Sequence, residues 1–173
     1  MTADLPFSYS YNLNRLGQAG DEVRFTAGEA ERAALAHFAG LVRVESFAAT
    51  IGLKKTSPNR FHLSFALDAD IVQSCVVTLA EIPSHIQLSF ERELHFVAGL
   101  HRVPDMAAEV GVEDDMPEEI GSLHYDLAAP LTEEFVLAID PYPRAPGVEF
   151  QGGKGEGAAE SPFAILKGLK SRR

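Results

Sequence analysis

The chain contains 173 residues, and 46% of them are hydrophobic, which is enough to fill the core of one ordinary domain. Its net charge is −10, with 25 acidic and 15 basic residues. This charge excludes extensive electrostatic binding of nucleic acid. No apolar stretch approaches the roughly 20 residues of a membrane-spanning helix, so we expect neither a membrane segment nor a membrane partner.

The cellular compartment is indicated by the cysteine content and by the amino-terminal sequence. Cys75 is the single cysteine, which excludes an intramolecular disulfide and fits a reducing compartment. Residues 1–6 contain neither a basic start nor an apolar run, so we expect no secretory signal. Together these features predict a cytoplasmic protein.

The first predicted elements are a strand and a helix. Phe7–Leu16 places its aromatic side chains on one face of a period-two pattern, as in a strand. Thr26–Glu29 fits a capping box, in which the Thr26 hydroxyl accepts from the amide of Glu29. The helix that follows runs to about Ala39 and ends at Gly40. Its buried face is predicted to contain Ala30, Ala34, Leu35 and Phe38.

Two strand pairs follow in the central part of the chain. Leu41–Lys55 changes its apolar phase near Glu45–Ser46, which predicts a bulge, and a turn at Ser57–Asn59 leads into the alternating strand Phe61–Leu67. The second pair is predicted from Val72–Leu79 and His85–Phe96, with its turn at Ile82–Ser84. Even-numbered apolar residues of the last strand point inward and polar residues point outward. A strand with one buried face and one solvent-exposed face predicts an antiparallel sheet.

The acidic segment from about residue 105 to 119 is predicted to be a mobile loop, because it contains few bulky apolar residues. It has no Lys or Arg and seven acids, namely Asp105, Glu109, Glu113, Asp114, Asp115, Glu118 and Glu119. A short helix is predicted after it, starting near Pro130, with Leu131 and Phe135 one turn apart.

The carboxyl-terminal part predicts a tethered segment. Residues 147–161 contain five glycines and form a predicted linker, and residues 162–173 form a basic amphipathic tip that follows the helix cap Ser161. The tip is too short to hold a helix alone in water, so it would order only against a surface. Its candidate partner-binding residues are Phe163, Lys167, Lys170, Arg172 and Arg173.

These elements predict a single α+β domain over residues 1–146, built on a bent antiparallel sheet with one capped helix and a mobile carboxyl-terminal tip. Partial closure of the sheet into a barrel is an alternative.

Asp140–Arg144 stands out in the last part of this domain, because two prolines fix its backbone and Asp140 can accept backbone amides. It is either a rigid structural turn or a surface that presents Tyr142 for stacking and Arg144 for phosphate or a base plane.

Three segments together resemble the YceD-like family of large ribosomal RNA subunit accumulation proteins, and in particular its alphaproteobacterial branch. They are Gln73–Leu79 with the strand ending in Phe90 and Glu91, then Leu137–Gly147, and then Ser161–Lys170. The resemblance covers roughly residues 7 to 170. Other branches of the family have two Cys-x-x-Cys-like pairs, one of them around the position of Cys75. Because a zinc site needs about four N or S ligands, the lone Cys75 predicts a metal-free protein.

Catalysis has no positive support in the sequence. The six histidines have no metal-ligand spacing, and residues 152–157 lack the spacing and the Ser or Thr of a phosphate-binding loop. Neighbouring carboxylates such as Glu91 and Glu93 have no nucleophile motif beside them. Cys75, flanked by Val76 and Val77, is interpreted as a buried apolar residue rather than a reactive thiol. We therefore expect no enzyme activity, no cofactor and no small-molecule substrate.

The resemblance implies a bacterial, non-catalytic factor in ribosome biogenesis that supports large-subunit ribosomal RNA accumulation. It would bind precursor ribosomal RNA, or a ribosome-assembly or processing protein. The composition alone leaves a rival, an acidic interaction module whose 105–119 segment shields a basic ribosomal protein without touching RNA. A small-molecule-binding barrel is the third class, and a closed apolar cavity would support it.

Overall fold

The computed structural model describes residues 5–99 and 117–148. Strands predominate, and the elements follow one another as β1 (Ser10–Asn12), a 3-10 turn (Leu13–Arg15), β2 (Asp21–Thr26), α1 (Glu29–Ala39), β3 (Arg43–Ser57), β4 (Arg60–Ser74), β5 (Glu81–Phe96), β6 (Glu118–Ile120), β7 (His124–Asp126) and α2 (Ala128–Ala138).

The main sheet has the order β2-β3-β4-β5-β6, and β1 pairs separately with β7. Neighbouring strands from β2 to β5 are antiparallel, as predicted, whereas β6 runs parallel to β5. β2 and β6 are the two edges, so this sheet is open and the barrel alternative is wrong. The predicted bulge is confirmed, because the β3–β4 register shifts between Val44 and Ser46.

One face of the sheet builds the core. Period-two alternation buries Phe47, Ile51 and Leu53 of β3 and Phe61, Leu63 and Phe65 of β4. Both helices pack on this inner face. Phe47 contacts Phe135 of α2 edge to face, with ring centroids 5.3 Å apart. Fully burying a ring of this kind contributes roughly 1.5–3 kcal/mol, so the sheet and α2 are held together mainly by apolar contact.

α1 begins later than the sequence predicted. Thr26 is the last residue of β2, and the helix cap is Gly28, whose amide donates to Oε2 of Glu31 at 2.6 Å. Glycine has no side chain to complete a capping box, so only the Glu31 half is present. The predicted end is confirmed by Gly40, which adopts the left-handed conformation with φ 66°. Leu35 is buried as predicted and Ala34 is partly buried, but Ala30 and Phe38 are exposed.

The turn of the second hairpin lies earlier in the chain than the sequence predicted. β4 continues without a break through Asp68 and Asp70 to Ser74, and the turn lies at residues 75–80 instead of Ile82–Ser84. Pro83 lies inside β5, opposite Val72. Within the described residues β6 pairs only with Leu94–Phe96, so the other side of β5 is an edge at Pro83 and tolerates its missing amide.

Three smaller boundaries also differ from the prediction. The strand expected over Phe7–Leu16 is confined to β1, and β2 was not predicted at all. The last part of the predicted acidic loop is ordered, since Glu118 and Glu119 belong to β6. The short helix near Pro130 is confirmed as α2, which starts two residues earlier at Ala128. No helix within the described ranges is long and apolar enough to cross a membrane.

Candidate functional site

Two turns contact each other beyond the ends of β4 and α2. The first comprises residues 75–80, between β4 and β5, and the second comprises residues 140–144, after α2. We call the two turns together the double-turn site. Gln73 Nε2 donates to the backbone oxygen of Asp140 at 2.8 Å. The amide of Val76 donates to the backbone oxygen of Pro143 at 3.0 Å. These bonds fix the second turn against the first at both of its ends.

The second turn is itself rigid. Oδ1 of Asp140 accepts from the amide of Tyr142 at 2.9 Å, which is the capping contact expected of an Asp that precedes a proline turn. Pro143 is buried, whereas the Tyr142 side chain is 72% exposed and Arg144 is exposed as well. The backbone of the turn is therefore structural, while its aromatic and cationic side chains face solvent.

The first turn adds exposed apolar side chains to the same site. Leu79 is 79% exposed and has φ 61°, the one positive φ of a non-glycine residue within the described ranges. Its amide donates to the backbone oxygen of Cys75 at 2.9 Å, which holds the residue in this conformation. A left-handed backbone costs a residue with a Cβ roughly 1–2 kcal/mol. Val76 is also exposed, and its amide contacts the second turn, so the first turn adds two exposed apolar side chains to the site.

Cys75 lies at the centre of the double-turn site and is buried, as predicted, although it follows β4 rather than lying within it. The amide of Ala145 donates to its Sγ at 3.4 Å, which ties residue 75 to the far end of the second turn. The pKa of the thiol is lowered to about 6, mainly by the side chain of Thr78 and further by the amides of Ala145, Thr78 and Val77. These donors favour the thiolate, so the sulfur acts as an acceptor that joins the turns.

A zinc site of the kind implied for other branches of the family does not fit these residues. A tetrahedral structural site needs four ligands, and Cys75 is the chain's single cysteine. Between residues 5 and 99 and between 117 and 148, no three His, Cys, Asp or Glu side chains are grouped closely enough to hold a metal ion. The sulfur is instead contacted by the Thr78 side chain and by backbone amides.

The other predicted site residues belong to a part of the chain that the structure does not describe. Phe163, Lys167, Lys170, Arg172 and Arg173 lie outside the described residues, as do positions 149–161 of the predicted 147–161 linker and positions 105–116 of the predicted acidic segment. The tip therefore stays a prediction.

Sequence reasoning missed the partner turn of the site and the exposed face that Asp68 and Asp70 of β4 share with neighbouring residues of β5. Both omissions arise from the break that was wrongly placed in β4. The alternation of exposed and buried residues from Ser64 to Ile71 could have revealed one continuous strand, with Asp68 and Asp70 on its wet side.

The match to a family rests on the part of the chain that contains both turns. The family model described as "Large ribosomal RNA subunit accumulation protein YceD" matches residues 63–170, which is more than half of the 173-residue chain. The chain belongs to the YceD family. The matched range includes β4, β5, α2 and the double-turn site, and it confirms the family resemblance seen in the sequence, while the alphaproteobacterial branch stays a prediction. No curated protein and no solved structure matches the chain significantly.

Membership links this YceD protein to accumulation of large-subunit ribosomal RNA in bacteria, and thus to ribosome biogenesis. The family's description names an accumulation role and names no reaction.

Proposed function

We propose that this YceD protein is a non-catalytic cytoplasmic factor that supports large-subunit ribosomal RNA accumulation by binding precursor RNA at the double-turn site. The observation that carries the proposal is Tyr142, a 72% exposed aromatic ring on a backbone anchored through Asp140 and Pro143. A ring held in this way loses little conformational freedom when a base stacks on it. Stacking of this kind contributes roughly 1–3 kcal/mol per base.

The net charge limits the kind of RNA contact. A chain with charge −10 is repelled by a long duplex, so we propose a small contact with an unpaired base and its adjoining phosphate. Arg144, two residues after Tyr142 and exposed, would contact that phosphate. The basic tip 162–173 would provide a second, tethered contact, which raises the effective concentration of RNA near the site.

The experiment is a salt series with a single-stranded RNA from the ends of the large-subunit precursor. Tyr142→Ala weakens binding at every salt concentration with little change in salt slope, because stacking releases no counterions. Arg144→Ala weakens binding mainly at low salt and reduces the slope by about one. Tyr142→Phe retains binding, since the ring is kept. Arg24→Ala on β2 is the control for loss of one exposed guanidinium.

The proposal is contradicted if Tyr142→Ala and Arg144→Ala bind RNA as the unmodified protein does. It is also contradicted if both variants only lower the melting temperature, because the turn is then purely structural. In cells, deletion of the protein lowers mature large-subunit RNA relative to small-subunit RNA, and the Tyr142→Ala variant restores the ratio less well than Tyr142→Phe.

A second candidate function is an acidic module that binds a basic ribosomal protein without RNA contact. Glu118 and Glu119, the end of the predicted acidic segment, are exposed on the edge strand β6, and this favours it. Such a module retains a basic ribosomal protein and ignores RNA at every salt concentration, which separates the two candidates.

A further inference from the structure

The second face of the main sheet is open to solvent, and we call it the outer face. It is formed by even-numbered residues of β2 and β4, even-numbered residues of β3 after the bulge, and odd-numbered residues of β5, and it lies opposite the two helices. A groove of about 620 Å³ crosses it from β2 to β5. Within the described residues this is a sheet face that no other element covers.

The floor of the groove consists of short side chains. One cross-strand row places Thr50 beside Ala66 and Ala66 beside Ser89, and the next row places Ala48 beside Asp68. Ala66 and Ser89 are exposed. Short side chains on three adjacent strands leave a depression, into which the backbone of an extended chain can fit closely.

Asp68 and Arg24 line the groove, and three further carboxylates lie beyond it on the outer face of β4 and β5. From Ser64 to Asp70 on β4, and from His85 to Glu93 on β5, the outer face contains four carboxylates and no Lys or Arg. They are Asp68, Asp70, Glu91 and Glu93. His85 lies between the two aspartates, with Nδ1 at 2.9 Å from Asp70 and Nε2 at 3.6 Å from Asp68. On the edge strand β2, Arg24 is already paired with Glu22 at 2.9 Å.

Ser46 also contacts this group, since its hydroxyl donates to Oδ2 of Asp70 at 2.8 Å. The order Ser46, Asp70, His85 puts the carboxylate between the hydroxyl and the imidazole. A nucleophilic triad requires the imidazole in the middle, so this group is not a catalytic one.

We propose that the outer face is a docking site for an extended, Arg- and Lys-rich segment of a partner protein. Charge complementarity selects this occupant, because guanidinium groups pair bidentately with exposed carboxylates such as Asp68 and Glu91. The same carboxylates repel RNA, and they oppose stacking of a second copy, which would bring like charges together. This proposal does not rest on RNA binding at the double-turn site, because it uses other residues and another partner.

The experiment uses the full chain and a synthetic twelve-residue peptide with alternating Arg or Lys and small residues. Asp68→Asn with Glu91→Gln removes two charges without changing shape, and we expect about tenfold weaker peptide binding in low salt. Ala66→Leu fills the floor of the groove and weakens binding with no change in charge. The matched controls are Glu29→Gln with Glu133→Gln on the two helices, and Ala33→Leu on α1. These controls keep the affinity within twofold.

Three results would overturn the proposal. Equal loss in the helix variant would mean that net charge alone attracts the peptide. Amide chemical-shift changes confined to residues outside β2–β5 would place the peptide elsewhere. A dimer in sedimentation that Ala66→Leu dissociates would show that a second copy covers the face. Tyr142→Ala retains peptide binding, so failure here and failure of the RNA proposal are distinguishable.

Discussion

The double-turn site and the outer face present their side chains in opposite ways. At the double-turn site, irregular backbone is fixed by contacts between distant parts of the chain, such as Gln73 with Asp140, and large side chains such as Tyr142 and Leu79 protrude. On the outer face, a regular antiparallel ladder fixes the backbone, and the side chains at the centre are short. A protruding aromatic ring can stack on an unpaired base, whereas a charged groove with a shallow floor can bind an extended polypeptide.

This difference has an energetic consequence. Exposed ion pairs on a sheet face contribute little to stability, because water screens them and the ladder holds without them. A loop site depends on a few buried polar contacts, and losing one leaves its partner without a hydrogen bond. Substitutions of the buried polar contacts of the double-turn site should therefore change stability, whereas substitutions on the outer face should change mainly binding.

The largest effect is expected at Gln73, which is 6% exposed. Gln73→Met keeps the shape but removes the donor to the Asp140 carbonyl, and it should lower the free energy of unfolding by about 1–3 kcal/mol. Gln87→Met, on the outer face, should change it by less than about 0.5 kcal/mol. Urea denaturation measures both. Equal effects of the two substitutions would remove the distinction between the regions.

A second prediction concerns the pH dependence at Cys75. Its pKa is about 6 in the folded protein and 9.0 in a free thiol, so the stabilisation is fully present above pH 9 and is lost as the pH falls through 6. The unmodified protein should therefore gain stability over Cys75→Ala between pH 6 and pH 9. Denaturant titrations at both ends of this range test it. A constant difference between the two proteins would mean that Cys75 stays a neutral thiol.

A substitution of Leu79 should affect the stability of the protein and its RNA binding differently. Leu79→Gly removes the steric cost of φ 61° but adds backbone entropy to the unfolded chain, so the free energy of unfolding should stay equal or rise by up to about 1 kcal/mol. Binding of precursor RNA should weaken nonetheless, because an exposed apolar side chain of the double-turn site is lost. Leu137→Ala, which truncates another largely exposed leucine, is the control for both measurements. Destabilisation without loss of binding would show that Leu79 is needed only for the turn.

The smallest effect is expected at His85 on the outer face. The hydrogen bond with Asp70 raises the pKa of His85 and lowers that of Asp70, and Asp68 also faces the imidazole. The stabilisation is present below the ordinary histidine pKa of 6.5 and is lost as the pH rises through the raised value. At the acidic end it fails as the pH falls through the lowered pKa of Asp70. His85→Gln should slightly flatten the pH profile of the melting temperature, and an unchanged profile would mean that the contact is absent in solution.

The parts of the fold that repeat regularly were accessible from the sequence. Alternation in β3, the bulge after Val44 and the end of α1 at Gly40 all depend on local patterns, and the structure confirms them. The short β1 and β6 depend on pairing with distant residues, which one sequence does not reveal. Pro83 and the aspartates of β4 predicted a break that the structure does not contain, because hydrogen bonds to the strand on one side are enough to continue the ladder.

For the same reason, the sequence indicated only one of the two turns of the candidate site. Asp140–Arg144 is conspicuous in sequence because of its two prolines, and its internal Asp140–Tyr142 contact follows from local chemistry. Its docking onto residues 75–80 spans about 70 positions of sequence separation, between Cys75 and Ala145. The protrusion of Leu79 depends on a positive φ that leucine rarely adopts. Neither feature has a signature in composition or spacing.

Crosslinking in growing cells tests the central claim most directly, namely that this YceD protein binds precursor ribosomal RNA at the double-turn site. The tagged protein is irradiated in cells, and the attached RNA and the crosslinked peptides are both identified. We expect large-subunit precursor RNA attached at or next to Tyr142, with the yield strongly reduced in Tyr142→Ala and retained in Arg24→Ala. Recovery of basic ribosomal proteins alone, or of RNA attached equally in the Tyr142→Ala variant, would contradict the account.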